Sequence, residues 1–487
     1  MGEEEPRPGR HGRRPSRALS APAGRPMRLM TGPVTAVAGV LASRMIRVAL
    51  GAVTGVLIAR TLLPEGRGVY AVMTTAAATA VVVGHLSLEK SHIVFWPDSS
   101  RHRPLITNAL VLGTALGCVA ALATFGIVAA SASPGAFPLW AVALLAVPFG
   151  TASINLTSVL LLQSRTKTVN RATTIAALTQ CLPILALMAA GHVTVASAVV
   201  CWAASTVVPF LFAVRALWPI PLRRDKSLVR RQLSLSGRYH VGWVAYHMLL
   251  SVDILLLNAM DSAATVGIYT VAGTLMTLAR IPADSITQVV LPRQAVSGAH
   301  EAERLTARTL RLNLLVSAAF IGLVAAASPW AIPLVYGHAF AAGVAPLLVL
   351  APGALALTVT RPTEQYLVRL GRPMTMTAIA CTALAVNLVL NLVLIPPWGA
   401  VGAALASTVA YTLLALLETA WFLRSARVGV SELVPRLTDL RALSPRTPAA
   451  TGTAGRRAGA PVTVARVEGA ARTERTERTE KAPRHVP

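Results

Sequence analysis

The sequence has few charged residues, few aromatic residues and few cysteines for a chain of 487 residues. Charged residues make up 13%, about half the share found in an average soluble protein, whereas hydrophobic residues make up 54%. So little polar surface cannot cover soluble domains of this size, which excludes a soluble protein. The four cysteines all lie in apolar stretches and form no C-x-x-C pair, so neither a zinc site nor a disulfide framework is indicated.

Motifs of soluble enzymes are also missing from the chain. There is no G-x-x-x-x-G-K-[ST] loop for nucleotide phosphates, and neither H-E-x-x-H nor G-x-S-x-G occurs. We therefore expect that the protein is not an enzyme, that it has no cofactor and that it binds no metal.

Long apolar segments are abundant instead, and most reach the ~20 residues that a helix needs to cross a bilayer. This pattern predicts an all-α polytopic membrane protein with about 12 transmembrane helices. The predicted segments run near 34–59, 68–96, 105–130, 138–162, 172–190, 195–214, 239–259, 266–291, 312–335, 344–368, 374–395 and 400–423.

Acidic residues are scarce, and 45 Lys and Arg against 20 Asp and Glu give a net charge of +25. Of the basic residues, 38 fall in the arm 1–28, in every second loop and in the tail 424–487, whereas the other loops hold only Arg60 and Arg67. This asymmetry predicts that both termini are cytoplasmic. The charge therefore reflects topology and favours anionic membrane lipids as partners, and we expect no nucleic-acid binding.

Short sequences recur in the two halves of the chain. Gly68-Val69-Tyr70 returns as Gly267-Ile268-Tyr269 after 199 residues, and Ser205-Thr206 returns as Ser407-Thr408 after 202. A parallel repeat of this kind predicts two pseudo-symmetric six-helix bundles around a central cavity, which suits alternating access. The predicted domains are a basic cytoplasmic arm (1–33), an N-terminal bundle (34–214), a cytoplasmic linker loop (215–238), a C-terminal bundle (239–424) and a disordered basic cytoplasmic tail (425–487).

Three stretches are distinctive: ARTLLPEGRGVY at 59–70, VGIYTVA at 266–272 and PWGAVGAA at 397–404. They resemble polysaccharide-type flippases, similar to O-antigen and teichoic-acid flippases, of the multidrug/oligosaccharidyl-lipid/polysaccharide exporter superfamily. One departure is Leu63, where that family more usually has a glycine before the proline. The resemblance covers roughly residues 35–425. It implies translocation of an undecaprenyl-diphosphate-linked oligosaccharide, or a related polysaccharide precursor, across the cytoplasmic membrane of a bacterial cell.

Charged residues inside the predicted segments are expensive to bury, so they are candidates for function. Arg44 and Arg47 lie three residues apart and project from one face of the first segment. A guanidinium binds phosphate oxygens bidentately, as a lipid diphosphate requires; the alternative is a helix that starts near Ser43 and leaves both at the interface. Gly51 and Gly55 follow in a G-x-x-x-G spacing that would permit close helix packing.

Two further pairs have the spacing of helical neighbours: Arg280 with Asp284, and Arg361 with Glu364. Each is either a neutralised pair that orients a helix or a group facing the cavity. Asp253 has no partner nearby in sequence and is a candidate proton or sodium site, or a carboxylate held by structural hydrogen bonds. The predicted substrate-binding residues are Arg44, Arg47, Arg280 and Arg361, and the predicted ion-coupling residues are Asp253, Asp284 and Glu364.

The sequence is compatible with several functions. A flippase would hold the diphosphate in a cationic cavity, whereas a multidrug or cation exporter of the same fold should have an acidic one. A membrane glycan polymerase or transferase would need catalytic groups on a large external loop, and the short predicted external loops carry only Glu65 and Asp261 as carboxylates. A scaffold that binds other glycan-assembly proteins through the basic tail is a further alternative.

Overall fold

The computed structural model describes residues 33–435 and 439, apart from 131–132, 222, 224, 371 and 427. These residues form thirteen α-helices and no β-strand, which confirms the predicted all-α class. The predicted arm up to residue 32, and the predicted tail from residue 440 onward, lie outside the described residues. The helices are α1 (Pro33–Gly84), α2 (Leu88–Phe95), α3 (His102–Ala129), α4 (Phe137–Leu145), α5 (Val147–Leu162), α6 (Thr166–Ala189), α7 (Val195–Leu217), α8 (Lys226–Leu249), α9 (Val252–Met260), α10 (Ala263–Val296), α11 (Ala299–Tyr336), α12 (Val344–Arg369) and α13 (Pro373–Ala426).

The first helix, α1, is a hairpin of two helices. Leu63 interrupts it with a φ of 58° and a ψ of 178°, just before Pro64. The guanidinium of Arg67 donates a 2.7 Å hydrogen bond to the carbonyl of Gly55. On a continuous helix these residues would be about 18 Å apart, so the chain must reverse at Leu63. Essentially only glycine adopts the backbone conformation of Leu63 freely. This explains why the family that the sequence resembles more usually has a glycine at this position.

The last helix, α13, also folds back on itself. Gly399 has a φ of 50° and interrupts the helix after Pro396 and Pro397. A Cβ placed on Gly402 would lie only 2.0 Å from the carbonyl oxygen of Leu394, although the two are eight residues apart. This close approach requires the chain to turn back at Gly399.

The number of helical passes agrees with the prediction. In the described part of the chain nine helices are long and apolar enough to span a membrane, and α8 with α9 forms a tenth span bent by 49°. Because α1 and α13 are each two antiparallel helices, these spans make twelve passes. The broken tenth span keeps Asp253 close to a helix start, in the first turn of α9.

The linker predicted at 215–238 is mostly helical. α7 ends at Leu217 and α8 begins at Lys226, because Asp225 caps α8 by accepting hydrogen bonds from the amides of Ser227 and Leu228. The bond from the Leu228 amide, followed by that from the Ser227 hydroxyl, lowers the pKa of the Asp225 carboxyl.

The beginning of the predicted disordered tail packs against the helices. Leu433 is buried in an apolar cluster that includes Phe422 of α13. Arg311 of α11 donates to both carboxylate oxygens of Asp439, at 2.9 and 3.0 Å. The prediction of disorder is therefore wrong for 425–435 and 439, apart from 427, because low-complexity composition begins only further along the chain. Both predicted bundles lie in one compact unit that ends at Asp439.

The two halves of the chain touch where the hairpin turn of α1 meets the start of α10. A Cβ on Gly68 would lie 1.7 Å from the carbonyl oxygen of Ala263, and a Cβ on Gly267 would lie 1.9 Å from that of Pro64. The repeat offset of 199 relates these two contacts, so they form one reciprocal glycine contact between the halves. Only glycine permits backbones to approach this closely.

The predicted close packing at Gly51 and Gly55 is wrong, since a Cβ at either position would meet nothing within 4 Å. Both residues border an open cavity instead. A G-x-x-x-G spacing permits a helix contact but does not supply the partner helix.

We call one end of the helical bundle the basic end, after its basic residues, and the other the opposite end. The basic end contains the connection at 96–101 and the described residues of the connection between α7 and α8. The opposite end contains the reciprocal glycine contact and the turns at Leu63, 261–262 and Gly399. At this end Arg60 donates to the carbonyls of Leu334 and Val335, which reinforces the joint between the halves. A large apolar core, which includes Ala59, Leu257, Tyr269, Phe340 and Tyr411, joins both halves.

Candidate substrate cavity

A cavity of about 810 Å³ lies between the two halves. Its volume falls within the range of pockets that enclose small molecules or head groups. Lining residues recur at helical spacing along α1 and α10, so each helix turns one face toward the cavity. On the first part of α1 these include Arg44, Val48, Gly51, Gly55 and Ile58, on its second part Arg67, Tyr70, Ala71, Thr74 and Thr75, and on α10 Thr270, Gly273, Thr274, Thr277, Arg280, Ile281 and Asp284.

Arg44 lies inside α1, eleven residues after its first residue, and not at the start of a helix. Its Nη2 is 3.6 Å from a carboxylate oxygen of Asp284, and both side chains line the cavity. Arg280 also lines the cavity, and its Nε is buried with no hydrogen-bond partner. The structure thus pairs Asp284 across the two halves with Arg44, although its spacing with Arg280 suggested a pair within α10.

Arg361 and Glu364 of α12 form the ion pair that their spacing suggested, with 3.7 Å between Nη1 and Oε2. Arg361 lines the cavity, whereas Glu364 is not among the lining residues. Arg47 is half-buried and is not among them either. Of the four arginines predicted to bind substrate, three therefore border the cavity.

Asp253 also borders the cavity, but it is buried and surrounded by donors. The hydroxyls of Tyr269 and Ser407 donate to one carboxylate oxygen, and the amide of Ile254 donates to the other at 2.9 Å. Tyr269 and Ser407 belong to the repeated sequences, so the repeat contributes to the environment of this carboxylate. Three donors stabilise a buried negative charge without any cation.

The sequence missed Arg67, which positive-charge counting had assigned to an external loop. It lies in the second part of α1, is only 6% exposed and lines the cavity. Its Cζ lies 5.8 Å from the centre of the Tyr336 ring. A helical stripe of 67, 70, 71 and 74, which contains two aromatic or hydroxyl side chains, was the available signal for this position.

Threonines give the cavity wall many hydroxyl groups. Thr54, Thr74, Thr270, Thr274 and Thr277 line the cavity, and each donates its hydrogen to a carbonyl of its own helix. A hydroxyl oxygen used in this way still has free lone pairs. The wall can therefore accept hydrogen bonds from a ligand that carries many hydroxyl groups.

Glu418 lies near the end of the last predicted segment, a position from which a long side chain can reach the interface. The structure buries it instead, at 6% exposure, and the hydroxyl of Thr363 donates a 2.8 Å hydrogen bond to its carboxylate. α12 and α13 pack together here, which removes Glu418 from the protein surface.

The chain matches one known family over most of its helical part. Residues 57–345, more than half of the chain, match the sequence model of a family described as polysaccharide biosynthesis protein. No curated protein sequence matches the chain.

Solved structures share the fold at low sequence identity. One is described as lipid II flippase MurJ in an inward closed conformation; it is 13% identical, with 81% of this chain and 89% of that chain covered and a TM-score of 0.68. A multidrug resistance MATE family transporter of the MOP superfamily in an inward-facing conformation is 13% identical, with 80% and 98% covered and a TM-score of 0.61. A MOP superfamily transporter from Pyrococcus furiosus, described by a binding pocket of reverse polarity, is 11% identical, with 81% and 95% covered and a TM-score of 0.59.

Proposed function

Because the chain belongs to the polysaccharide biosynthesis protein family, we propose that it moves a lipid-linked polysaccharide precursor across the cytoplasmic membrane. The proposed substrate is an oligosaccharide joined to undecaprenyl through a diphosphate. The prenyl tail stays in the lipid while the polar head group passes through the cavity between the two halves.

The observation that carries this proposal is the charge of the cavity wall. Four arginines, Arg44, Arg67, Arg280 and Arg361, line it together with two carboxylates, Asp253 and Asp284. Guanidinium groups bind phosphate oxygens in a bidentate geometry and stay charged when partly buried. A net positive wall favours a diphosphate, and threonine oxygens beside it suit the hydroxyls of a glycan.

The proposed direction of transport, from the cytoplasm outward, is supported by the difference between the two ends of the bundle. Basic connections favour a cytoplasmic location of the basic end. The opposite end, where the reciprocal glycine contact brings α1 and α10 together, would then face the outside. The substrate would enter from the cytoplasmic side, and separation of Gly68 from Ala263 would open the outer exit. Rocking of the halves around a fixed site is the usual form of alternating access.

We assign ion coupling to three carboxylates, Asp253, Asp284 and Glu364, each of which contacts a residue that lines the cavity. Asp284 holds Arg44 through an ion pair, so a cation taken up by Asp284 would release Arg44 for the diphosphate. Asp253 links α9 to Tyr269 and Ser407, and Glu364 holds Arg361. Uptake of a proton or sodium ion at these positions would change the packing between helices.

The test is reconstitution in liposomes with a fluorescent undecaprenyl-diphosphate oligosaccharide on the inner side. An added enzyme that cleaves glycans reports the arrival of the head group outside. We expect that the glycan is exposed outside only when the protein is present. The rate of exposure should fall at least about tenfold in Arg44→Ala/Arg361→Ala, which corresponds to a loss of about 1.4 kcal/mol. Arg230→Ala/Arg231→Ala, which removes two exposed arginines at the basic end, is the matched control and should leave exposure unchanged.

A contrary result would identify the alternative. No exposure of the glycan, together with efflux of a cationic dye under an ion gradient, would favour a cation exporter of the same fold. Elongation or transfer of the glycan by the purified protein would instead favour a membrane glycan polymerase or transferase.

A further inference from the structure

Arg67 occupies a special position near the opposite end of the cavity. Its Nη1 donates to the carbonyl of Gly55 at 2.7 Å, and its Cζ lies 5.8 Å from the centre of the Tyr336 ring. The neighbouring Tyr70 hydroxyl accepts a 2.9 Å hydrogen bond from the side-chain amide of Gln180. Arg67, Tyr70 and Gln180 all line the cavity, and Arg67 directly precedes Gly68 of the reciprocal glycine contact.

The charge of Arg67 is not compensated within the described part of the protein. Arg67 is only 6% exposed, its Nε has no hydrogen-bond partner, and no described carboxylate lies within ion-pair distance. Arg44 and Arg361, which line the same cavity, each have a carboxylate partner. A buried cation without a counter-charge is costly, and binding of an anion removes that cost.

Arg67 is also well separated from the arginines nearer the basic end. Its guanidinium touches Gly55, which follows Arg44 by eleven residues on α1, or about 16 Å at 1.5 Å per residue. We therefore expect a diphosphate bound at Arg44 to leave Arg67 free for another anionic group. The glycan attached to that diphosphate extends in this direction if it follows the face of α1 that lines the cavity.

We propose that Arg67, with the adjacent Tyr70 and Gln180, forms a second anion subsite of the cavity. Its ligand is an anionic oxygen group, a carboxylate or a phosphate. The source is either an acidic sugar of the glycan, held while the diphosphate occupies the first site, or the diphosphate itself after it has moved outward. This inference rests on the proposed function for the identity of the molecule that carries the anion.

Two soluble probes and their neutral counterpart test this subsite without the lipid. Isothermal titration of the full chain in nanodiscs would measure binding of a trisaccharide that contains glucuronate, the same trisaccharide with glucose in its place, and inorganic pyrophosphate. We expect wild type to bind the acidic trisaccharide about tenfold more tightly than the neutral one, the discrimination that one good charge contact provides. Arg67→Gln should abolish this preference, and Arg67→Lys should retain part of it.

Arg60→Gln is the matched control, because Arg60 lies nearby on α1 but bonds the carbonyls of Leu334 and Val335 instead of lining the cavity. It should keep the preference for the acidic trisaccharide. If Arg67→Gln fails to fold, the partial preference of Arg67→Lys against wild type decides the question.

The remaining outcomes distinguish an acidic sugar from the diphosphate as the source of the anion. They also distinguish failure of the anion subsite from failure of the proposed function. If Arg67→Gln weakens pyrophosphate but wild type shows no sugar preference, the anion subsite stands and the diphosphate is its ligand. If Arg67→Gln changes neither the pyrophosphate affinity nor the sugar preference, the subsite is refuted and Arg67 only supports packing. Pyrophosphate binding that is insensitive to Arg44→Gln would count against the proposed function, whatever Arg67 does.

Discussion

Gly68→Ala should open the cavity at the opposite end of the bundle, where Gly68 and Gly267 form the reciprocal glycine contact. The added Cβ would lie 1.7 Å from the carbonyl oxygen of Ala263, whereas ordinary van der Waals contact begins near 3.4 Å. The obstacle is backbone on both sides, so α1 and α10 must separate by about 1.7 Å. Overpacking of this kind costs about 1–3 kcal/mol in the closed conformation. If the halves can separate, this cost shifts the equilibrium between the closed and the open conformation roughly 5- to 150-fold toward the open conformation.

Thiol accessibility would measure this shift. A single reporter cysteine replaces Thr274, which lines the cavity, in a chain whose four native cysteines are changed to alanine. A membrane-impermeant thiol reagent is added from the side of the opposite end. The reaction should accelerate by roughly 5- to 150-fold in Gly68→Ala. Gly267→Ala should behave alike, because its Cβ would lie 1.9 Å from the carbonyl oxygen of Pro64.

The control is Gly322→Ala in α11, where a Cβ would meet nothing within 4 Å. It should react at the wild-type rate. If Gly68→Ala and Gly267→Ala also react at that rate while remaining folded, the reciprocal glycine contact does not hold the opposite end closed and the reasoning is refuted.

Three further substitutions test other parts of the structure. Leu63→Gly removes a left-handed backbone strain of about 1–3 kcal/mol and should raise the thermal unfolding temperature in detergent; a lower temperature would contradict the strain. Asp284→Asn frees Arg44 from its ion pair, so titration should show roughly tenfold tighter pyrophosphate binding, and weaker binding would mean that Asp284 does not compete with the anion. Gln232→Leu leaves the buried amide of Asn108 without its 2.7 Å acceptor and should destabilise the protein by about 1–3 kcal/mol in thermal unfolding, whereas an unchanged melting temperature would contradict that contact.

The sequence predicts well those features that depend on local composition. Apolar length alone indicated twelve passes, because each span must be long enough to cross hydrocarbon by itself. The resemblance drawn from 59–70, 266–272 and 397–404 is confirmed by the family match and the shared fold. These stretches include the turns at Leu63 and Gly399, where backbone conformation leaves a recognisable sequence pattern.

The features that depend on contacts between distant segments were predicted less well. Spacing along one helix suggested Arg280 as the partner of Asp284, but the partner is Arg44 on the other half. The glycine spacing at 51 and 55 suggested a helix contact, which occurs at Gly68 and Gly267 instead. Arg67 was missed because counting charges by loop assigns a residue near a turn to solvent, although its helical spacing with Tyr70, Ala71 and Thr74 marks one face of a helix. The hairpin geometry of α1 turns that face toward the cavity.

Photocrosslinking tests the central claim most directly, namely that the head group of a lipid diphosphate occupies this cavity. An undecaprenyl-diphosphate oligosaccharide with a diazirine on its first sugar is irradiated with the protein in nanodiscs, and labelled peptides are located by mass spectrometry. We expect labels on the first part of α1 between Arg44 and Gly55 and on α10 between Thr270 and Asp284, suppressed by excess pyrophosphate. Labels confined to exposed apolar positions such as Leu122 and Leu416, and unaffected by pyrophosphate, would contradict the account.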